Sequence, residues 1–247
     1  MAEPVTEVRS GWGMSAERAL RRLATTTAAG ALLGLLVGGA GGRLAMGLIA
    51  ILNPRATGVT SDDGFRIGQF TVSGTLNLLI VATVIGALGG GIYLVLRNLM
   101  IGPRWLQVLS ISAGPAVVVG SMLVHVDGVD FTLLRPPLLA IAMFVAIPAV
   151  YAALLTLLAE RWLEPDNWFT KGPRILAMAP LLVWLPIAPL LAALAVGWLL
   201  TEWTSQLRRP PTAQMLSVTH WVARIALAAL FTVSLFTLVR NTALLVD

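Results

Sequence analysis

The amino-acid sequence predicts an all-α, polytopic membrane protein: a bundle of six transmembrane helices with short loops and both termini in the cytoplasm. Hydrophobic residues form 57% of the 247-residue chain and charged residues only 12%, about half the ~25% of typical soluble domains. The interior of a soluble domain does not grow fast enough with chain length to bury so much apolar surface. A soluble globular enzyme is therefore excluded, and so is a disordered chain, which requires low hydrophobicity and high charge.

Six apolar runs are long enough to cross a bilayer, since roughly 20 helical residues span about 30 Å of hydrocarbon. The predicted spans are residues 24–52, 76–96, 106–126, 137–158, 175–200 and 218–239. The linkers between them are short and polar, so residues 23–247 are interpreted as one transmembrane domain that follows a cytoplasmic tail, residues 1–22. The first run is longer than the about 7–15 apolar residues of a signal peptide, which favours a retained helix.

The distribution of Lys and Arg outside the spans predicts their orientation. With the N-terminus inside, ten basic residues lie on the inner side: Arg9, Arg18, Arg21, Arg22, Arg97, Arg104, Arg161, Lys171, Arg174 and Arg240. Five lie on the outer side: Arg55, Arg66, Arg135, Arg208 and Arg209. This excess predicts that both termini lie in the cytoplasm.

Small residues recur every four positions in the first two spans, where they share one helix face. They are Gly30, Gly34, Gly38 and Gly42 in the first span and Ala82, Gly86 and Gly90 in the second. Small residues at this spacing let helix backbones approach closely, so the first two helices are expected to pack together. A groove that admits a lipid tail or a cofactor ring is the alternative interpretation.

Prolines concentrate in the fifth predicted span, at Pro180, Pro186 and Pro189. Each proline lacks a backbone N–H and removes one hydrogen bond of the helix. The sequence is therefore consistent with a bent or broken fifth helix that opens a cavity, but simple kinks that serve helix packing are the favoured interpretation.

Composition excludes several kinds of chemistry. The chain has no Cys, which excludes disulfides, thiolate nucleophiles and Cys-ligated metal centres. The net charge is +5, but the basic residues stand mostly at the ends of apolar runs. Membrane topology and lipid headgroups explain this placement, so no nucleic-acid partner is expected.

Rare polar residues gather in the predicted outer loops and at the outer helix ends. The candidates are Asp62, Asp63, His125, Asp127, Asp130, His220 and Arg224. Three interpretations remain open. The first is a solvated outer surface, on which Arg43 and Arg224 pair with Asp63 or Asp127.

The second interpretation is a divalent metal site built from the histidines and carboxylates, which are ligands that zinc accepts. No HExxH or HxxxH spacing supports it. The third interpretation is a site for an anion or a lipid headgroup on Arg43, Arg135 and Arg224, because guanidinium groups bind phosphate through paired hydrogen bonds.

These observations favour a non-catalytic binding or assembly protein with a polar cluster on its extracytoplasmic face. Its expected partners are membrane lipids, a second copy of the chain or another membrane subunit. One alternative is a membrane-embedded, metal-dependent enzyme that acts on a lipid at the outer leaflet. Another is a small-solute transporter. Phosphate-loop, dinucleotide-binding and nucleophile-elbow motifs are absent from the sequence.

Three segments resemble an uncharacterised family of bacterial multi-pass membrane proteins. They are Thr60-Ser61-Asp62-Asp63-Gly64-Phe65, Gly102-Pro103-Arg104-Trp105-Leu106 and His125-Val126-Asp127-Gly128-Val129-Asp130-Phe131. The resemblance covers roughly residues 20–165 and implies a location in the bacterial cytoplasmic membrane. It implies no activity, substrate or cofactor.

Overall fold

A computed structural model describes residues 6–60, 66, 68–126, 134–189 and 213–246. This part of the chain is all-helical apart from one antiparallel bridge between Thr60 and Arg66. The first long helix comprises α1 (Thr6–Leu33), a π-helical segment (Gly34–Gly41) and α2 (Gly42–Leu52). The helices that follow are α3 (Val72–Leu96), α4 (Arg104–Leu123), α5 (Pro137–Trp162), α6 (Trp168–Lys171), α7 (Arg174–Met178) and α8 (Ala213–Val246).

Five helical stretches of the described chain are long and apolar enough to cross a membrane. They are Ala16–Leu52, Val72–Leu96, Arg104–Leu123, Pro137–Trp162 and Val218–Val246. They confirm that five of the predicted spans are apolar helices, as expected for a multi-pass membrane protein.

The fifth predicted span is broken in its described part. Helix α7 ends at Met178, and a 3₁₀ segment, Ala179–Ile187, follows it. Pro180 and Pro186 lie in this segment and cannot donate backbone hydrogen bonds, which explains why no long α-helix forms. Residues 190–200 of the predicted span lie outside the described residues.

Local sequence signals begin the central helices. The side chain of Thr71 accepts a hydrogen bond of 3.1 Å from the backbone N–H of Gly74 and so caps the start of α3. Helix α5 begins at Pro137, a position where the missing N–H of proline removes no helical hydrogen bond.

Helices α1 and α3 pack against each other in antiparallel backbone contact. A Cβ atom on Gly30 would collide with the carbonyl oxygen of Gly86, and one on Gly34 would collide with that of Ala82. A Cβ on Gly90 would likewise meet the carbonyl oxygen of Thr26. Glycine is therefore required for the close approach of these two helices, and this contact leaves no room for a ligand between them.

Further along the stripe, Gly38 would contact only the side chain of Ala82. Gly42 lies at the limit of contact, with a Cβ position 4.0 Å from Leu78 Cδ2. The close approach is therefore confined to the first part of the predicted glycine stripe.

The helices define two ends of the bundle. The N-terminal end contains Arg97 and Glu160, which form an ion pair of 3.1 Å between the ends of α3 and α5. The opposite end contains Asn53, whose side-chain oxygen accepts a 2.6 Å hydrogen bond from the backbone N–H of Arg135. Helices α1, α2 and α4 run from the N-terminal end to the opposite end, and α3 and α5 run back.

Two hydrogen bonds establish the direction of α8. Near its start, the Nε of Arg224 donates to the carbonyl of Leu99, in the turn between α3 and α4, at 2.8 Å. Near its end, the Nδ2 of Asn241 donates to the carbonyl of Val124, just after α4, at 2.8 Å. Helix α8 therefore runs parallel to α4 and ends opposite the start of α1. This arrangement does not confirm the prediction that both termini lie on one side.

Candidate functional site

A cleft opens at the N-terminal end of the bundle, where α1, α3 and α5 meet. It consists of two adjoining parts with volumes of about 290 Å³ and 420 Å³. We call it the basic cleft, and its lining residues are Arg18, Ala19, Arg22, Leu94, Arg97, Asn98, Glu160, Leu163 and Glu164.

The positions of the lining residues follow from helix geometry. Arg18 and Arg22 are four residues apart, so they lie on one face of α1. Leu94 lies in the last turn of α3, and Asn98 lies in the turn that follows this helix. The glycine contact between α1 and α3 brings these residues together, and α5 adds Glu160 at its end.

Glu160 organises the floor of the cleft. Its Oε1 accepts a hydrogen bond of 2.6 Å from the hydroxyl of Tyr93, and its Oε2 accepts one of 3.1 Å from Nη2 of Arg97. Both side chains of the ion pair are partly accessible, at 29% for Arg97 and 30% for Glu160. Arg97 is thus held in place while it still reaches solvent in the cleft.

The charge of the cleft is positive. Three arginines, Arg18, Arg22 and Arg97, oppose two carboxylates, Glu160 and Glu164, which leaves a formal balance of 3 − 2 = +1. Arg22 lines both parts of the cleft and is exposed. Within the described residues its guanidinium forms no ion pair. An anion in the cleft would therefore meet Arg22 without displacing a carboxylate of the described residues.

A docked segment borders the N-terminal end. The Nη1 of Arg21 donates to the carbonyls of Phe169 and Gly172, each at 3.2 Å. Glu17 pairs with Arg174 at 3.0 Å. Deeper in the bundle, the indole N–H of Trp184 donates to the hydroxyl of Thr27 at 3.0 Å. Residues 169–184 are thereby anchored along α1.

The three arginines predicted to bind a headgroup do not meet in one place. Arg43 lies in the first span, with its guanidinium 5.8 Å from the ring centroid of Phe70. Arg135 lies at the opposite end, beside Asn53. Arg224 lies at the N-terminal end, with its guanidinium 5.3 Å from the ring centroid of Trp221.

The two histidines are also separated. His125 directly follows Val124 at the opposite end, whereas His220 lies one turn before Arg224 at the N-terminal end. Helix α4, with 20 residues, separates these ends by about 30 Å. Both histidines and Arg224 are predicted on one side only if residues 175–200 cross the membrane once. The observed direction of α8 corrects that arrangement.

The predicted carboxylate candidates Asp62, Asp63, Asp127 and Asp130 lie outside the described residues. Among the residues that are described, no group of three or more His, Asp or Glu side chains could hold a metal ion.

Sequence reasoning missed the basic cleft, because its arginines were assigned to membrane topology. The available signal was the pair Arg18 and Arg22 on one helix face, next to Arg97 at the end of a span. What the sequence lacks is any indication that Glu160, 63 residues after Arg97, lies beside it.

Comparisons with models of protein families, with curated proteins and with solved structures found no match for this chain.

Proposed function

We propose that the protein is a non-catalytic binding protein of the bacterial cytoplasmic membrane and that the basic cleft binds a phosphate-bearing anion. The observation that carries this proposal is the convergence of Arg18, Arg22 and Arg97 on one cleft. Guanidinium groups match phosphate oxygens in geometry and form charge-assisted hydrogen bonds, which are about twice as strong as neutral ones.

The ion pair with Glu160 supports this assignment. A long side chain loses rotamer freedom when it is ordered around a ligand. Arg97 is already oriented by Glu160, which is itself held by Tyr93. Because the guanidinium of Arg97 is already ordered, less binding free energy is lost to the ordering of this side chain when a ligand binds.

The charge distribution supports a cytoplasmic orientation of the cleft. With the observed direction of α8, ten basic residues of the described chain lie at the N-terminal end: Arg9, Arg18, Arg21, Arg22, Arg97, Arg104, Arg161, Lys171, Arg174 and Arg224. Four lie at the opposite end: Arg55, Arg66, Arg135 and Arg240. Cytoplasmic loops carry such an excess of Lys and Arg.

The test is calorimetric titration of delipidated protein, in a neutral detergent and at low salt, with inorganic pyrophosphate. We expect Arg22→Gln to weaken binding by about tenfold, because a hydrogen bond to a charged group contributes about 1.5 kcal/mol or more. Arg240→Gln is the matched control, since Arg240 is also exposed but lies at the opposite end. Equal affinities of the wild type and both variants would contradict the proposal.

A further inference from the structure

We infer that the anion bound in the basic cleft is the headgroup of a membrane lipid with a phosphate and a net negative charge. This inference rests on the proposed function and specifies the ligand of the same site. The apolar wall of the cleft, the surface next to it and the depth of the cleft in the membrane support this inference.

The cleft is amphipathic. Beside its arginines it contains three apolar side chains. Ala19 belongs to α1 and Leu94 to α3, and Leu163 directly follows α5. A small soluble anion forms no favourable contact with apolar groups. The glycerol and first acyl carbons of a lipid do, because they lie directly below the phosphate.

The apolar wall continues onto a lipid-facing surface. Val95 follows Leu94 in the last turn of α3 and is 66% exposed. Leu20, next to Ala19 on α1, is 44% exposed. Exposed apolar side chains on a membrane-spanning helix contact acyl chains. A lipid can therefore place its phosphate among the arginines and its chains along α1 and α3 without leaving the bilayer.

Aromatic residues place the cleft at headgroup depth. Trp162 ends α5 and stacks on Phe169, with ring centroids 5.1 Å apart. Trp105, at the start of α4, is 66% exposed, and Trp168 is 51% exposed. Trp side chains concentrate at the membrane–water interface. Arg97, which follows α3, and Glu160, near the end of α5, lie at the same end of the bundle as these Trp residues. Anionic lipids of the cytoplasmic leaflet attract basic residues at this depth.

The experiment is native mass spectrometry of protein taken from bilayer discs that contain equal amounts of phosphatidylglycerol and phosphatidylcholine. We expect wild-type protein to retain phosphatidylglycerol in preference to phosphatidylcholine. Arg22→Gln should lower this retention by about tenfold, and Arg240→Gln should leave it unchanged.

A second pair of variants separates a lipid from a soluble anion. Leu94→Asn places a neutral polar group in the apolar wall, so it should lower lipid retention and leave the affinity for pyrophosphate unchanged. Leu244→Asn is its control, because Leu244 is 55% exposed on α8 near the opposite end.

The outcomes distinguish the two levels of the proposal. Pyrophosphate binding that depends on Arg22, without a preference for the anionic lipid, would overturn the lipid inference and leave the proposed function standing. Lipid retention that is the same in the wild type, Arg22→Gln and Leu94→Asn would also overturn the inference. Loss of Arg22 dependence for both probes would overturn the inference and the proposed function together.

Discussion

The side-chain amide of Asn241 donates a hydrogen bond to the carbonyl of Val124 and so joins the end of α8 to the end of α4. Together with the bond from Arg224 to Leu99, it makes the two helices parallel. The last helix therefore ends opposite the point where α1 begins. This relationship determines which charged residues share an end of the bundle.

The direction of α8 can be tested by cysteine labelling. The chain contains no Cys, so single cysteines introduced at exposed positions react without background. We expect a membrane-impermeant maleimide to label Arg240→Cys in intact cells and Asn98→Cys only after permeabilisation. Labelling of both positions under the same condition would show that the two helix ends lie on one side.

The hydrogen bond of Asn241 predicts a modest contribution to stability. Asn241→Leu should reduce the free energy of unfolding by about 0.6 kcal/mol, a typical value for side-chain hydrogen bonds between membrane helices. Unfolding in a denaturing detergent provides the measurement. The neighbouring variant Arg240→Gln is the control, and an equal loss in both would assign the effect to α8 in general.

The glycine contact between α1 and α3 predicts a much larger effect. Gly90→Ala should destabilise the protein by about 3 kcal/mol or more, the upper end for overpacking, because the new methyl group meets the backbone carbonyl of Thr26, which cannot rotate away. Gly114→Ala is the control, since a Cβ there meets nothing within 4 Å. A similar melting temperature for both variants would contradict the close approach.

The docked segment predicts a local change in dynamics. Arg21 donates through Nη1 to the carbonyls of Phe169 and Gly172 and through Nε to the carboxylate of Glu17, and a lysine has only one nitrogen for both positions. Arg21→Lys should therefore speed hydrogen exchange in residues 169–187 and leave α4 unaffected. Arg22→Lys, one position along, is the control. Unchanged exchange in Arg21→Lys would show that other contacts hold the segment.

Local patterns predicted the helices well. Unbroken apolar runs identified the five long helices, and the four-residue spacing of Gly30, Gly34, Gly86 and Gly90 predicted the face on which α1 meets α3. The prolines of the fifth span indicated a disturbed helix, although the break seen in its described part is larger than the simple kinks that the sequence favoured. Each of these features depends on residues close together in the sequence.

The topology and the site could not be predicted in the same way. Residues 175–200 are apolar enough to be interpreted as a span that crosses once. That interpretation assigns to α8 the direction opposite to the one observed. The basic cleft joins Arg22, Arg97 and Glu160, whose proximity depends on how three helices pack. Neither hydropathy nor residue spacing contains that information.

The π-helical segment Gly34–Gly41 has a consequence for the whole first helix. Its hydrogen bonds reach five residues back, so a turn contains more residues than in an α-helix, and a four-residue repeat no longer stays in line. A Cβ atom on Gly30 or Gly34 would collide with the α3 backbone, whereas one on Gly41 would come near only the carbonyl of Leu36 in its own helix. Beyond this phase shift, Ile49 joins the core of the opposite end with Ala140 and Ile141. One continuous helix therefore packs against α3 before the π-helical segment and against α5 after it.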